Sequence, residues 1–122
     1  MKIQISELFK YRQYVNSPLY YCFDRKEYKI CDVSFLNSQE NMPYKRYIPL
    51  LQIDENKLQK KYIASLNNVK LIRDFSNTNL SFNAFIDYCN LQSDWWNHYR
   101  RTVFELEKVW CEENSFQYIF DL

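Results

Sequence analysis

Residues 93–113 have the sequence SDWWNHYRRTVFELEKVWCEE, and they show the clearest helical pattern in the chain. Their large apolar side chains recur every three or four residues, the spacing that places side chains on one face of an α-helix. The residues with this spacing are Trp96, Tyr99, Val103, Leu106 and Trp110. The pattern predicts a long amphipathic helix that begins at Ser93 or Asp94 and ends near Glu113.

Three shorter segments before this helix show similar spacing. Asp54 is a suitable N-cap for a helix that ends near residue 66, because its carboxylate can accept hydrogen bonds from the free amides of a first turn. A second, shorter helix or turn is predicted from the apolar positions Val69, Ile72 and Phe75. A third helix is expected after a cap at Asn79 or Ser81. Its apolar stripe consists of Phe82, Phe85, Ile86 and Cys89.

The first half of the chain changes to alternating patterning. A short opening helix is predicted within residues 4–15. From Leu19, alternate apolar residues continue on both sides of the polar segment 24–27, which predicts a β-hairpin. A further strand is expected over residues 46–51, and Pro49 restricts it to a sheet edge because proline has no amide hydrogen to donate to a neighbour. Residues 116–120 predict a short closing strand or a packed tail.

These elements predict an α+β fold, in which a small antiparallel sheet, made of the N-terminal hairpin plus an edge strand, packs against three to four C-terminal helices. We expect a single domain over residues 1–122, because 122 residues that are 47% hydrophobic suit one core. The chain has no glycine, so left-handed backbone positions are expected at asparagines between the apolar segments. These are Asn37, Asn41, Asn67, Asn68, Asn77 and Asn79.

The composition excludes several classes of function. Walker loops, dinucleotide-binding turns and hydrolase nucleophile elbows require glycine, which this chain lacks. The formal net charge of +1 creates no global attraction to nucleic acid or anionic membranes. The polar residues that follow Met1, and the lack of an apolar run of ~20 residues, favour a cytoplasmic protein that does not associate with membranes.

The pattern of cysteine and histidine residues does not predict a metal site or a catalytic site. The four cysteines, of which Cys22 and Cys31 are the nearest pair, are expected to be reduced and mostly buried, and zinc sites usually need closer pairs. His98 is the single histidine and is expected on the protein surface. Cys89 is expected to be inert on its apolar stripe, and the acidic residues around Cys111 should raise the pKa of that thiol. We predict no catalytic, cofactor-binding or metal-binding residues and no cofactor.

Several motifs occur in an order that resembles a known family. They are the predicted hairpin, Arg46-Tyr47-Ile48-Pro49, the pair Phe82 and Phe85, Trp95-Trp96, and Trp110-Cys111-Glu112-Glu113-Asn114. Across roughly residues 16–114, this order resembles the bacterial uncharacterised protein family 0158. The resemblance implies a bacterial α+β domain. Because that family has no assigned activity, the resemblance implies no catalytic residues.

Phe104 does not follow the apolar stripe of the predicted last helix. On a helical wheel it lies about 80° beyond the edge of the apolar arc, near Arg100 and Lys108. Either the N-terminal segment or the tail around Phe116 covers it, or an exposed phenylalanine beside an arginine marks a partner surface. The leading functional prediction is a non-enzymatic protein–protein interaction, regulatory or inhibitory module, with Phe104, Arg100 and Lys108 as candidate contact residues.

The alternative prediction is a nucleic-acid-binding protein. Either Lys57, Lys60 and Lys61 with Lys45 and Arg46, or Arg100 and Arg101, could form a local basic patch. Aromatic residues make up 19% of the chain, and such side chains can stack on unpaired bases. Most of these aromatics have the spacing of core residues, however, so the protein-binding interpretation is favoured.

Overall fold

The structure is a computed structural model that describes residues 1–16, 21–32 and 46–121. As predicted, these residues form a mixed α+β fold, with five helices and a small antiparallel sheet among them. The chain divides into two compact units, one formed by Met1–Ile53 with Phe104–Leu122 and the other by Asp54–Val103. A single domain over residues 1–122 stays a prediction.

The first unit contains two short parallel pairs of strands. Strand β1 (Ile3–Gln4) pairs with β7 (Tyr118–Ile119), and β2 (Gln13–Tyr14) pairs with β6 (Gln52–Ile53). The predicted opening helix is present as α1 (Ile5–Lys10), directly after β1. These two-residue strands therefore join the start of the chain to two later segments of the first unit.

The predicted hairpin and edge strand form the antiparallel sheet of the same unit. Strands β3 (Tyr21–Asp24) and β4 (Lys29–Asp32) are the two arms of the hairpin, and β5 (Tyr47–Pro49) pairs with β3. The strand order is β4-β3-β5, so Pro49 lies on an outer strand of this sheet, as its missing amide hydrogen requires. The hairpin prediction began at Leu19, which lies outside the described residues.

Four helices follow β6 in the chain. They are α2 (Glu55–Ser65), α3 (Val69–Asn77), α4 (Phe82–Tyr88) and α5 (Gln92–Glu113). The side chains of Asp54 and Ser81 cap α2 and α4 as predicted, since each accepts a hydrogen bond from an amide of the first turn. Asn68 caps α3 in the same way. Helix α5 contributes residues up to Val103 to the second unit and its later residues to the first.

Each unit has its own hydrophobic cluster. The buried residues of the first cluster are Ile3, Ile5, Leu8, Phe23, Leu50, Phe104, Trp110 and Cys111. Those of the second are Tyr62, Ile63, Phe82, Phe85 and Ile86. As in the sequence analysis, aromatic side chains supply much of the packing in both units.

The prediction that assigned Leu106 and Trp96 to the buried stripe of α5 is wrong. Trp96 is 44% exposed and Leu106 is 37% exposed, whereas Glu107 and Cys111 are buried. Phe104, which the wheel placed outside the stripe, is only 6% exposed. The wheel assumed one buried stripe along the whole helix, but the two parts of α5 pack within different units.

The structure also differs from the predicted apolar stripe of α3 and from the predicted left-handed turn positions. Val69 and Ile72 are exposed, and it is Leu71 and Phe75 that pack against the second cluster. Positive φ angles occur among the described residues at Asn67, as expected, but also at Asn90, Tyr28 and Ser115. Asn68 serves as a cap and Asn77 ends α3, whereas Asn37 and Asn41 lie outside the described residues.

Candidate functional site

A groove with a volume of about 270 Å³ lies in the first unit. One wall is formed by residues 2–4, which include β1, and the other by residues 28–30, which lead into β4. Glu7, Phe23 and Ile119 complete its lining. We call this the β1–β4 groove. Because β1 pairs with β7 and β4 pairs with β3, the two walls belong to different sheets.

The hairpin turn that leads into one wall is held by a buried carboxylate. Asp24 is 3% exposed, and its Oδ1 accepts hydrogen bonds from Lys26 N at 2.9 Å and from Glu27 N at 3.4 Å. The Arg46 guanidinium binds both carboxylate oxygens, through Nε at 2.9 Å and Nη2 at 3.0 Å. This pairing holds the pKa of Asp24 below its ordinary value, so the ion pair between Asp24 and Arg46 is present at neutral pH.

Tyr28 connects the turn to the other wall. Its φ angle is 55°, in the left-handed region that bulky residues rarely adopt. Its ring packs against Phe23 at 5.0 Å, and its hydroxyl donates to the carbonyl of Met1 at 3.1 Å. Packing and hydrogen bonding thus stabilise an unfavourable backbone conformation and join the end of the turn to Met1, two residues before β1.

At Ile30, the backbone N–H and C=O groups of β4 point away from β3, towards the outer edge of the sheet. Leu50 N donates to Tyr21 O at 3.2 Å, and Arg25 N donates to Arg46 O at 2.8 Å. Every second residue of β3 therefore directs its N–H and C=O towards β5, and the intervening residues face β4. Ile30 lies opposite a β3 residue that faces β5, so its own N–H and C=O point away from β3.

The lining of the groove combines an apolar floor with charged rims. The floor consists of Ile3 and Phe23, which are buried, and Ile30, which is half-buried. Lys2 and Lys29 are exposed lysines, one on each wall, whereas Glu7 is the single carboxylate that the described part of the chain contributes to the lining. This arrangement suits the binding of a peptide chain through backbone hydrogen bonds, apolar contacts and charge.

A second notable feature of this unit is the buried carboxyl group of Glu107. Glu107 is 3% exposed, and neither carboxyl oxygen has a hydrogen-bond partner among the described residues. Burial raises the pKa of Glu107 to about 8, although the positive charge of Arg12 partly opposes this. Both side chains line a cavity of about 10 Å³ that also includes Leu8, Leu50, Leu51 and Ile53. A volume of this size holds about one water molecule, so it does not fit a substrate.

Cys111 lies one helical turn after Glu107 and is fully buried. Burial, followed by the negative charges of Glu107 and Glu112, raises the pKa of its thiol to about 12. The predicted direction of this shift is confirmed. A thiol of this kind remains protonated at neutral pH, which does not suit a nucleophile.

Comparisons with protein-family models, with curated proteins and with solved structures find no match. The resemblance to family 0158 therefore stays a prediction. Among residues 1–16, 21–32 and 46–121, no group of three or more His, Cys, Asp or Glu side chains is arranged to hold a metal ion. In the same part of the chain, no helix combines the length and apolar character needed to cross a membrane.

His98 does not lie on the open surface, and this prediction is wrong. It is half-buried in the second unit, where its ring lies 5.1 Å from that of Tyr62 and stacks on Trp95 at 6.2 Å. Burial lowers the pKa of His98, with a smaller effect from Arg101. The hydroxyl of Tyr62 donates to Asp94 at 2.6 Å, and burial raises the pKa of Tyr62. These contacts fasten α2 to the first turn of α5.

The predicted protein-contact residues have different environments. Phe104 packs against Phe9 at 4.9 Å and Phe120 at 5.8 Å, so its ring is covered by the N-terminal segment and the tail instead of being exposed. Lys108 binds Glu105 at 3.3 Å and lies over the Phe120 ring at 5.7 Å. Arg100 is exposed and belongs to the second unit. The exposed phenylalanine surface required by that hypothesis is not formed.

The predicted basic patch is partly described. Lys57, Lys60 and Lys61 are exposed on α2, where their spacing of three and four residues places them on one side of the helix. Lys45 lies outside the described residues, and Arg46 is engaged with Asp24. Nucleic-acid binding by these lysines stays a prediction.

Proposed function

We propose that this protein is a non-enzymatic protein-interaction module that binds an extended segment of a partner protein in the β1–β4 groove. The observation that carries this proposal is the construction of the groove from two extended backbone segments of different sheets. A third extended segment between them would gain backbone hydrogen bonds and bury apolar side chains, which is how many domains recognise peptides. Binding of this kind suits a regulatory or inhibitory protein.

The shape and lining of the groove favour a peptide over a small cofactor. At about 270 Å³ it is smaller than most pockets that enclose drug-sized molecules. The N–H and C=O of Ile30, directed towards the outer edge of β4, offer the donor and acceptor that an added strand needs. The buried apolar floor then accepts alternate side chains of that strand.

The placement of the unusual ionisable groups also supports a binding role. Glu107 and Cys111 have strongly raised pKa values, but neither lines the β1–β4 groove. Within residues 1–16, 21–32 and 46–121, the titratable groups that line the groove are two lysines, one glutamate and one tyrosine. The hydroxyl of that tyrosine, Tyr28, donates to the carbonyl of Met1. General acid–base chemistry usually depends on groups whose pKa values differ within one concave site.

The proposal is tested by filling the groove. Gln4 is exposed, lines the groove and makes no side-chain cap to α1, so Gln4→Trp adds bulk with little disturbance of the core. Gln52→Trp is the matched control, because Gln52 is an exposed strand residue outside the groove. Each protein is used to select binders from a displayed library of random twelve-residue peptides. The affinities of enriched peptides are then measured by fluorescence anisotropy.

We expect the unmodified protein and Gln52→Trp to enrich the same peptides, with binding to Gln4→Trp weakened at least about tenfold. Circular dichroism and thermal unfolding establish that both variants fold. Enrichment of no peptide by the unmodified protein, or equal binding to Gln4→Trp, would contradict the proposed function.

A further inference from the structure

We infer that the segment bound in the β1–β4 groove is an extended strand in which acidic and apolar residues alternate. This inference rests on the proposed function and specifies the chemistry of the partner. It arises from the matching sequences of the two walls, because each contributes a Lys-Ile pair, Lys2-Ile3 and Lys29-Ile30.

Each Lys-Ile pair divides into a charged rim and an apolar floor. Lys2 and Lys29 are exposed, whereas Ile3 is buried and Ile30 is half-buried. Lys29 and Ile30 are neighbours in β4, and neighbouring residues of a strand point to opposite faces. Lys2 directly precedes β1 and shows the same contrast in exposure with Ile3. An occupant with the same alternation places apolar side chains against the isoleucines and its other side chains beside the lysines.

The charges along the groove favour acidic residues at those positions of the bound strand that lie beside Lys2 and Lys29. Lys2 and Lys29 are in no ion pair with any described residue, and Glu7 is the single carboxylate among the described residues that line the groove. Positive charge therefore exceeds negative charge along the rims, and an acidic strand gains an ion pair at each wall. Such exposed pairs are individually weak, so they select among extended segments more than they supply affinity.

The test uses three dye-labelled peptides of six residues. The first alternates valine and glutamate, the second alternates valine and glutamine, and the third groups three glutamates before three valines. Binding is measured by fluorescence anisotropy with the unmodified protein, with Lys2→Gln/Lys29→Gln, and with Lys57→Gln/Lys60→Gln. The last variant is the matched control, since it removes two exposed lysines from α2, outside the groove.

We expect the unmodified protein and the α2 control to bind the alternating glutamate peptide about fivefold more tightly than either other peptide. The preference over the glutamine peptide should disappear in Lys2→Gln/Lys29→Gln and decrease as salt is added.

Equal binding of the glutamate and glutamine peptides by the unmodified protein would overturn the inference, as would a preference that survives in Lys2→Gln/Lys29→Gln. Equal binding of the alternating and grouped glutamate peptides would also overturn it, because attraction would then depend on charge alone. None of these results affects the proposed function, which depends on the library selection and on Gln4→Trp. Failure of all three peptides to bind would overturn the inference, and the library selection would then decide whether the groove binds any peptide.

Discussion

Glu107 and Phe104 lie three residues apart on α5, and both are buried although a helical wheel places them outside the apolar stripe. The stripe derived from Tyr99 and Val103 belongs to residues that pack in the second unit. Residues after Val103 pack in the first unit, against α1 and the C-terminal tail. A single wheel averages these two environments, which is why it could not identify a buried glutamate.

Glu107 should make the stability of the protein depend on pH. Its pKa rises from an ordinary 4.5 to about 8, so between these values the folded state retains a proton that the unfolded state has lost. The contribution of this group to stability is therefore fully present below about pH 4.5 and declines, by up to ~1.4 kcal/mol per pH unit, until about pH 8. We expect Glu107→Gln to remove this decline, because glutamine has no charge to expose.

Urea unfolding from pH 5 to pH 9 measures this effect. Near pH 8.5 we expect Glu107→Gln to be roughly 4 to 5 kcal/mol more stable than the unmodified protein, with a much smaller difference at pH 5. Glu113→Gln is the control, since Glu113 is exposed on the same helix. Parallel stability curves for the unmodified protein and Glu107→Gln would show that Glu107 is already ionised in the folded state.

Among the elements, the β3–β4 hairpin depends on the bidentate pair between Asp24 and Arg46. We expect Arg46→Ala to lower the Tm by roughly 5 °C at pH 7, because the substitution leaves a buried carboxylate without its charged partner. Arg46→Lys should have an intermediate effect, since lysine keeps the charge but cannot bind both oxygens at once. Differential scanning calorimetry provides the measurement, with Lys26→Ala, in the same turn, as the control.

This effect should also have a characteristic pH dependence. The pKa of Asp24 is lowered by its pairing, so the stabilisation is present above its ordinary value of 3.8 and is lost as the pH falls through the lowered value. The Tm difference between the unmodified protein and Arg46→Ala should therefore shrink in acid. A difference that does not change down to about pH 2 would mean that the pair contributes through packing instead of charge.

The sequence predicted those elements that depend on interactions between residues close together in the chain. The caps at Asp54 and Ser81, the hairpin, and the edge position of Pro49 each follow from one or two neighbouring side chains. Pairings between distant segments, such as Ile3 with Tyr118, leave no periodic pattern because each strand has only two residues. The β1–β4 groove could not be predicted for the same reason, although the repeated Lys-Ile pair is a signal that sequence comparison between the two walls could have found.

For the molecule as a whole, the lack of glycine means that other residues must occupy left-handed positions, and the described residues contain four such positions. Turns use Asn67 and Asn90 in the left-handed region, and Tyr28 and Ser115 occupy the same region at the ends of β-turn and helix segments. The first unit contains residues from both ends of the chain. It also contains the β1–β4 groove, the ion pair between Asp24 and Arg46, and the buried Glu107. Binding and pH sensitivity are therefore expected to be properties of this unit.

Cys111 provides a chemical measure of whether the first unit is folded. It is 0% exposed, and a thiol pKa of about 12 in place of 9.0 lowers the thiolate fraction roughly a thousandfold at pH 8. We expect iodoacetamide to alkylate Cys31 and Cys89, which are half-buried, well before Cys111 in native buffer. Peptide mass spectrometry after timed labelling gives the rate at each site, and in strong denaturant all four cysteines should react alike.

Addition of urea should then accelerate labelling of Cys111 in step with the unfolded fraction measured by tryptophan fluorescence, because alkylation requires both exposure and loss of the acidic, buried surroundings of the thiol. Labelling of Cys111 at the rate of Cys31 without denaturant would show that the region around Glu107 opens independently of the rest of the unit. In that case the two carboxyl oxygens of Glu107 would reach water in the native state, and the pH dependence expected for its stability would be lost with them.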